Sequence, residues 1–472
     1  MHKLVQEAIT FDDVLIVPRK IKENNLKTDL KTKLTKKLYI NSPLVSSPMD
    51  TVTEARVAIY MARYGGIGII HRNMSIEAQV AEVEKVKRSE FGIIKNPFSL
   101  GPNAYLYEAE DLMKKYRVSG LPITEYDKLI GIITNRDLRF ETDYSKKIYE
   151  VMTRENLVTA KEGTSLSEAK AILDKHKIEK LPIIDENGDL KGLITTKDIM
   201  KAIQYPNSAR DSTGCLLVGA AVGITDNYMD RVSLLAEKLV DVIVIDTPHG
   251  HSEKVANVIY EIKTKYPNIE VIAGNVATEE ATKYLIDSGA DAIRVGIGPG
   301  SVCTTGIASG VGMPQITAIY NCANVASKFG VPIIADGGIK VIGDVTKAII
   351  AGANSVMMGY MFAGCEESPG EIEIFQGRKY KKYRSFHLNR ENQINNIGLM
   401  LPDGVEGRIE YKGSIKEVLK NILRGIKDSM YYCGSFTIDD LIKNGEFVKI
   451  TTAGYRESLP HSIEVTKEAQ YK

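Results

Sequence analysis

One of the five cysteines in this 472-residue chain stands where a packing residue is out of place. Cys303 lies in Gly296-Ile-Gly-Pro-Gly-Ser-Val-Cys-Thr-Thr-Gly306. The glycines let backbone approach a ligand or an ion, and Pro299 stiffens the loop. A thiolate is a strong nucleophile even when only partly ionised, and nearby backbone N–H groups would favour it. The competing reading is a tight turn that happens to carry a thiol. Further polar residues recur at the ends of apolar runs. They are Asp336-Gly-Gly338, Met358-Gly359, Asn275 and Asp246-Thr-Pro-His-Gly-His-Ser252. Arg294 sits inside such a run, where pairing with a core carboxylate is its structural alternative. His249 and His251 lack a third ligand at metal-binding spacing, so no metal is expected on them. The residue types alone lead to a phosphorylated ligand, a cysteine nucleophile and a carboxylate near a second ligand.

The elements that must position these groups are legible as eight short apolar runs. They are Leu44–Ser47, Ile67–His71, Leu216–Val222, Asp241–Thr247, Val271–Val276, Ala292–Ile297, Pro332–Ile339 and Ser355–Phe362. Runs this continuous suit parallel strands buried on both faces. Helical stretches such as Ser252–Tyr266 and Thr278–Ser288 alternate with them. The α/β pattern predicts a (β/α)8 TIM barrel, with a doubly wound sheet as the alternative, and places the reactive groups at the C-terminal strand ends. Barrels commonly hold phosphate there, on the loops after strands seven and eight.

A long segment between the second and third runs breaks the rhythm and contains a repeat. Tyr116-Arg-Val-Ser-Gly-Leu-Pro-Ile123 with Leu129-Ile-Gly-Ile-Ile-Thr-Asn-Arg-Asp137 returns as His176-Lys-Ile-Glu-Lys-Leu-Pro-Ile183 with Leu190-Lys-Gly-Leu-Ile-Thr-Thr-Lys-Asp198. Two such units can bury their faces against one another, which predicts an inserted pseudo-symmetric domain over 94–206. The repeat resembles a pair of CBS motifs, a module that often binds adenine nucleotides. That resemblance implies ribose-binding roles for Asp137 and Asp198; the alternative is that each caps the helix beginning beside it.

Composition narrows the setting. With 61 basic and 60 acidic residues the net charge is +1, which argues against a broad grip on nucleic acid or an acidic membrane. The cysteines are scattered with no CxxC pair, so a disulfide framework or zinc site is not expected and a reducing compartment is. Asp12 and Asp13 interrupt the apolar core a signal peptide would need, and no apolar run has bilayer length. A cytoplasmic protein is expected.

Motifs along almost the whole chain resemble the IMP dehydrogenase family. They begin with Thr10-Phe-Asp-Asp-Val14, Val45-Ser-Ser-Pro-Met-Asp-Thr-Val-Thr-Glu54 and Gly65-Gly-Ile-Gly-Ile-Ile-His71. Ala273-Gly-Asn275, the Cys303 loop through Gly310-Val-Gly-Met-Pro-Gln315 and Glu366-Glu-Ser-Pro-Gly-Glu371 follow. Gly404-Val-Glu-Gly-Arg408, Tyr411-Lys-Gly413 and Arg456-Glu-Ser458 complete the series. The resemblance implies a catalytic barrel over 1–93 and 207–472, a tandem CBS regulatory domain over 94–206 and a mobile flap at 384–403. It implies attack of Cys303 on C2 of the hypoxanthine ring, hydride transfer to NAD, and hydrolysis of the adduct to XMP. Thr305 would assist, and Arg390 of the flap would activate the water. Ser47, Met49, Asn275, Arg294, Ser301, Asp336, Gly337, Gly338, Gly359, Tyr383 and Glu406 would hold IMP. Asp246, Thr247, Gly296 and Gly298 would meet the cofactor. Carbonyls of Gly298, Gly300 and Cys303, with Glu457, Ser458 and Leu459 of the partner subunit, would cage potassium, which implies a homotetramer or an octamer of stacked tetramers. An adenine or guanine nucleotide would be the effector of the CBS pair.

Several positions depart from the family pattern. Gly306 replaces arginine or glutamine, Tyr360 replaces serine, and Pro248 replaces alanine. Ser385-Phe-His387 replaces Gly-Met-Gly, Glu391 replaces the tyrosine after Arg390, and the flap is shorter by about ten residues, within what loops tolerate. Two rivals follow: a GMP reductase-like or altered-specificity oxidoreductase, and a weakly catalytic paralogue that senses nucleotides. The long insertion and Arg390 favour the dehydrogenase, since reductases more often lack that insertion.

Overall fold

The computed structural model describes residues 7–21, 27–89, 94–95, 97–116, 118–224, 227–385 and 404–466. Eight parallel strands close into a barrel: β1 (Leu44–Ser46), β2 (Ile67–Ile70), β3 (Val218–Val222), β4 (Val242–Asp246), β5 (Glu270–Val276), β6 (Ala292–Val295), β7 (Ile333–Asp336) and β8 (Ser355–Met358). Each pairs with its neighbour in chain order, and β8 pairs with β1. The doubly wound alternative is thereby set aside. β4 shows why the runs are apolar throughout. Val242 and Val244 face an inner cluster with Val45, Ile67, Ile69, Ile272, Ile334 and Met357, while Ile243 and Ile245 join the outer cluster under the helices. Alternation of period two buries both sets.

The surrounding helices are α1 (Ala55–Arg63), α2 (Ile76–Lys87), α3 (Tyr228–Glu237), α4 (Glu253–Lys265), α5 (Glu279–Asp287), α6 (Gln315–Ala326), α7 (Ile342–Ile350) and α8 (Ile415–Tyr432). In α4 the side chain of Ser252 accepts from the Val255 N–H as an N-cap, and Val255, Val258, Ile259 and Ile262 form the buried stripe. That spacing is one face of a 3.6-residue helix. The predicted helix limits at Ser252, Tyr266, Thr278 and Ser288 are the caps rather than helical residues. The predicted eighth run overshoots its strand: Met361 and Phe362 are buried, but within a short helix, Tyr360–Ala363. Burial keeps a segment apolar whether it is strand or helix.

The chain divides into two compact units. One comprises Met1–Ser89, Asn207–Asp211 and Leu216–Lys472; the other comprises Glu90–Pro206 and Ser212–Cys215. In the first unit the Lys87 ammonium, at the end of α2, meets Asp211 at 2.9 Å and Asp241 at 2.6 Å. The departure and return of the chain are thus held on one buried cation. In the second unit the repeats form two hairpins, Gly120–Glu125 with Lys128–Thr134 and Lys180–Ile184 with Leu190–Thr195. Each repeat closes a core of its own, one around Leu106, Met113 and Ile133 and one around Leu173, Leu181 and Ile194. The repeat pattern suggested faces buried against one another. The hairpins meet at their turns, where the Leu129 N–H donates to Gly188 O and the Leu190 N–H to Asp127 O, and also at their other ends, where Lys180 lies against Gly120.

Candidate active site

The C-terminal ends of β1 and β4 to β8 surround one cavity. Of the residues singled out in the sequence, Ser47, Met49, Asp246, Thr247, Asn275, Arg294, Gly296, Gly298, Gly300, Ser301, Cys303, Thr305, Asp336, Gly337, Gly338, Gly359 and Tyr383 line it. Cys303 is partly exposed there, whereas Cys215, Cys322, Cys365 and Cys433 are buried. Its sulfur lies 3.1 Å from Thr305 Oγ1. A hydroxyl at that distance can accept the thiol proton or donate to the thiolate.

Arg294 organises the opposite wall. Its Nη1 donates to Asp246 Oδ1 at 2.7 Å and its Nε to Asp336 Oδ2 at 2.8 Å. Burial alone would weaken its hold on the proton, but the two carboxylates outweigh that and raise its pKa. The structural alternative of a core ion pair is therefore present, and the pair is also the cavity wall. Asn275, joined to Gly274 by a cis peptide bond, donates from Nδ2 to Gly296 O at 2.7 Å and to Asp336 Oδ2 at 2.9 Å. Its Oδ1 is buried without a partner, leaving an acceptor for a ligand hydroxyl. Two glycines are compulsory here. At Gly296 (φ +151°) a Cβ would fall 2.0 Å from Asp336 O, and at Gly337 (φ +90°) one would press on Pro299 and Gly300. The cysteine loop and the end of β7 touch through backbone.

The antiparallel ribbon of Arg378–Arg384 and Glu406–Glu410 ends beside the cysteine loop. The Val405 N–H donates to Val302 O at 3.0 Å and the Gly404 N–H to Thr304 Oγ1 at 2.6 Å. Burial, then Asp336 and Tyr360, raise the pKa of Tyr383, which stays a hydroxyl donor. Arg390 and Glu391 lie outside the described residues. Glu406 does not line the cavity; it is exposed and pairs with Arg384 at 3.4 Å. Glu457, Ser458 and Leu459 form an exposed helix end of this chain. Asp137 and Asp198 belong to the other unit, where each accepts from the threonine three residues before it. Among the described residues no three His, Cys, Asp or Glu side chains gather as a metal ligand set.

Sequence reasoning missed three supports. Arg72, just beyond β2, places its Nε 3.6 Å from Asp246 Oδ2. Asp50 receives Arg384 Nη2 at 2.7 Å and Asn73 Nδ2 at 2.6 Å beside the cavity residue Met49. Gln315, fully buried, donates its amide to Val295 O and Asp336 O, both at 3.0 Å, and so ties the exit of the cysteine loop to its entrance. A charged residue directly after an apolar strand was the available signal for Arg72; Gln315 ends a quoted motif but carried no sign of its partners.

The sequence matches the family described as IMP dehydrogenase / GMP reductase domain over residues 8–461. This chain belongs to that family. It is 56% identical to inosine-5'-monophosphate dehydrogenase of Halalkalibacterium halodurans and 54% identical to that of Bacillus subtilis, in each case over 99% of this chain and 98% of the relative. Among solved structures, a GMP reductase variant from Trypanosoma brucei in complex with guanosine 5'-monophosphate matches with a TM-score of 0.89 at 36% identity, over 98% of this chain and 99% of the other. A reductase thus spans the insertion as well. The insertion therefore does not by itself separate dehydrogenase from reductase, whereas the higher identity to the dehydrogenases does favour the former.

Proposed function

We propose that this chain oxidises IMP to XMP with NAD through a covalent adduct on Cys303. The observation that carries the reading is the Cys303–Thr305 contact inside a cavity whose far wall is the Asp246–Arg294–Asp336 bridge. Cys303 Sγ adds to C2 of the base, and the hydride leaves C2 for the nicotinamide of NAD. Water then breaks the C2–S bond, so that IMP, NAD and water give XMP, NADH and a proton. Thr305 holds or passes the thiol proton. Asp336 and Asn275 accept from the substrate ribose, and Ser301, Gly338, Gly359 and Tyr383 face its phosphate. The Asp246 carboxylate, beside Thr247, accepts from the cofactor ribose. Arg390 activates the water.

Most of the backbone donors named for potassium are open to it: Gly298 O and Cys303 O, and the carbonyls of Glu457, Ser458 and Leu459 at the end of the last helix, take no backbone hydrogen bond among the described residues, whereas Gly300 O already accepts from the Cys303 N–H at 3.1 Å. Helix C-terminal carbonyls carry partial negative charge and suit a cation. Sharing these donors between subunits would make the protein a homotetramer, with octamers from stacked tetramers. In the inserted unit, read as the tandem CBS domain, Asp137 and Asp198 would meet the ribose of an adenine or guanine nucleotide. Among the described residues no helix is long and apolar enough to cross a membrane, and a cytoplasmic setting is proposed.

The test follows reduced-cofactor absorbance with two mixtures. IMP with NAD should raise it and GMP with NADPH should leave it flat. The reverse pattern would replace this reading with a reductase, and silence in both would leave the nucleotide-sensing paralogue.

A further inference from the structure

The two loops that meet beside Cys303 are almost without side chains. Gly298-Pro-Gly300 leads towards the cysteine and Gly337-Gly338 follows β7, so little but Pro299 can fix them by packing. An aromatic ring from the far end of the chain fills the space behind them. Phe11 is 2% exposed and does not line the cavity. A Cβ on Gly338 would fall 3.1 Å from Phe11 Cε2 and 3.3 Å from Pro299 Cβ, so both rings close on one face of that glycine. The single turn that carries the ring, Phe11–Asp13, is fastened from several elements. The Ile9 N–H donates to Thr317 Oγ1 at 2.9 Å, in the first turn of α6. Lys347 of α7 donates to Phe11 O at 2.8 Å, and Lys340, two residues past Gly338, donates to Asp12 Oδ2 at 2.7 Å. The Ile450 N–H donates to Asp13 O at 2.9 Å, where Val14–Ile16 pairs with Phe447–Lys449. A core residue needs only burial. This ring is in addition held at a set place relative to the β7 loop, by polar contacts made to the residues on either side of it.

We propose that Phe11 is a positioning residue for the nucleophile. Its ring sets the gap between the β7 loop and the cysteine loop, and so holds the Cys303 sulfur where it reacts. Phe11 touches neither substrate nor cofactor; it acts through Gly338 and the Pro299 ring beside it. The proposal rests on the reading of Cys303 as the nucleophile. Glycine-rich backbone has many conformations to lose, and a rigid body packed behind it removes them before the substrate arrives.

The test combines steady-state turnover of IMP and NAD with the rate at which iodoacetamide labels Cys303 in the absence of substrate. A misplacement of about 1 Å can cost about 10² in rate, so kcat in Phe11→Ala should fall about tenfold or more. The KM for IMP should change less than about threefold. Labelling should slow by about threefold or more, because the loop amides that favour the thiolate lose their place. Phe11→Leu should lie between, with kcat down about threefold, and Phe11→Met, closest in volume, should recover kcat to within about twofold. Ile262→Ala truncates the buried stripe of α4 and should cost comparable stability in denaturant, with kcat and labelling unmoved. Should Phe11→Ala fail to fold, the leucine and methionine variants carry the comparison. Unchanged kcat and labelling in the Phe11 variants would overturn the proposal. So would an equal fall of kcat in Ile262→Ala, or a raised KM with kcat retained in Phe11→Leu. If the unaltered protein does not turn over IMP the functional reading fails, while the labelling rates still decide for Phe11.

Discussion

Two regions of this molecule put an aspartate at or just past the C-terminal end of a strand and use it in opposite ways. In the inserted unit Asp137 Oδ2 accepts from both the N–H and the hydroxyl of Thr134, and Asp198 accepts from the hydroxyl of Thr195. Both contacts span three residues and cap the helix that starts there. In the barrel Asp246 and Asp336 are reached by one guanidinium from a third strand, across 48 and 42 residues of chain. A local cap stabilises one helix. A bridge between strands shapes a cavity, because its geometry is set by the closed sheet. The same residue type in the same local setting therefore carries different consequences, and substitutions should separate them.

The largest effect belongs to the nucleophile. Cys303→Ala should abolish turnover while IMP still binds, as equilibrium binding would register. At pH 8 iodoacetamide should mark Cys303 in preference to Cys322 and Cys365. Burial pushes Cys322 up to about 11 and Cys365 up to about 12, so both stay protonated until the pH approaches those values. Turnover surviving in the alanine variant would remove the covalent mechanism.

Next comes the bridge. Arg294→Leu leaves Asp246 and Asp336 buried without their shared cation, and denaturant unfolding should show a loss of about 3–5 kcal/mol. An unfolding midpoint close to that of the unaltered protein would mean the bridge is no more than a cap in another place. The flap gives a kinetic counterpart. Arg390→Ala should keep a burst of NADH while steady turnover falls by about 10² or more, the scale of general base catalysis. Collapse in Glu391→Gln with normal turnover in Arg390→Ala would move that role to Glu391.

The caps should matter least. Asp137→Ala should cost about 1 kcal/mol, read as local hydrogen exchange in its own unit, with kcat unchanged. Removing 90–206 and joining Ser89 to Asn207 should preserve IMP oxidation, because Lys87 already holds the two ends together through Asp211. A folded but inactive product would show that the insertion completes the active site.

Much of this was readable beforehand for a physical reason. Strands buried on both faces must be apolar throughout, so the eight runs stood out, and alternation such as Val242-Ile-Val-Ile245 needed no partner to be identified. The capping aspartates were equally legible, since both members of each contact lie three residues apart. The overshoot at Met361 and Phe362 shows the limit: burial is written in composition, but the turn from strand to helix is not.

The sequence by itself determined the barrel class, the glycine-rich cysteine loop and the resemblance that family and relatives bear out. Tertiary structure alone decided which carboxylates Arg294 joins, that Gln315 ties Val295 to Asp336, that Arg72 stands on Asp246, and that Lys412 rests on Tyr360. Each of these contacts joins residues 20 or more positions apart, and such pairs become neighbours only when the barrel closes and brings its strand ends onto one rim.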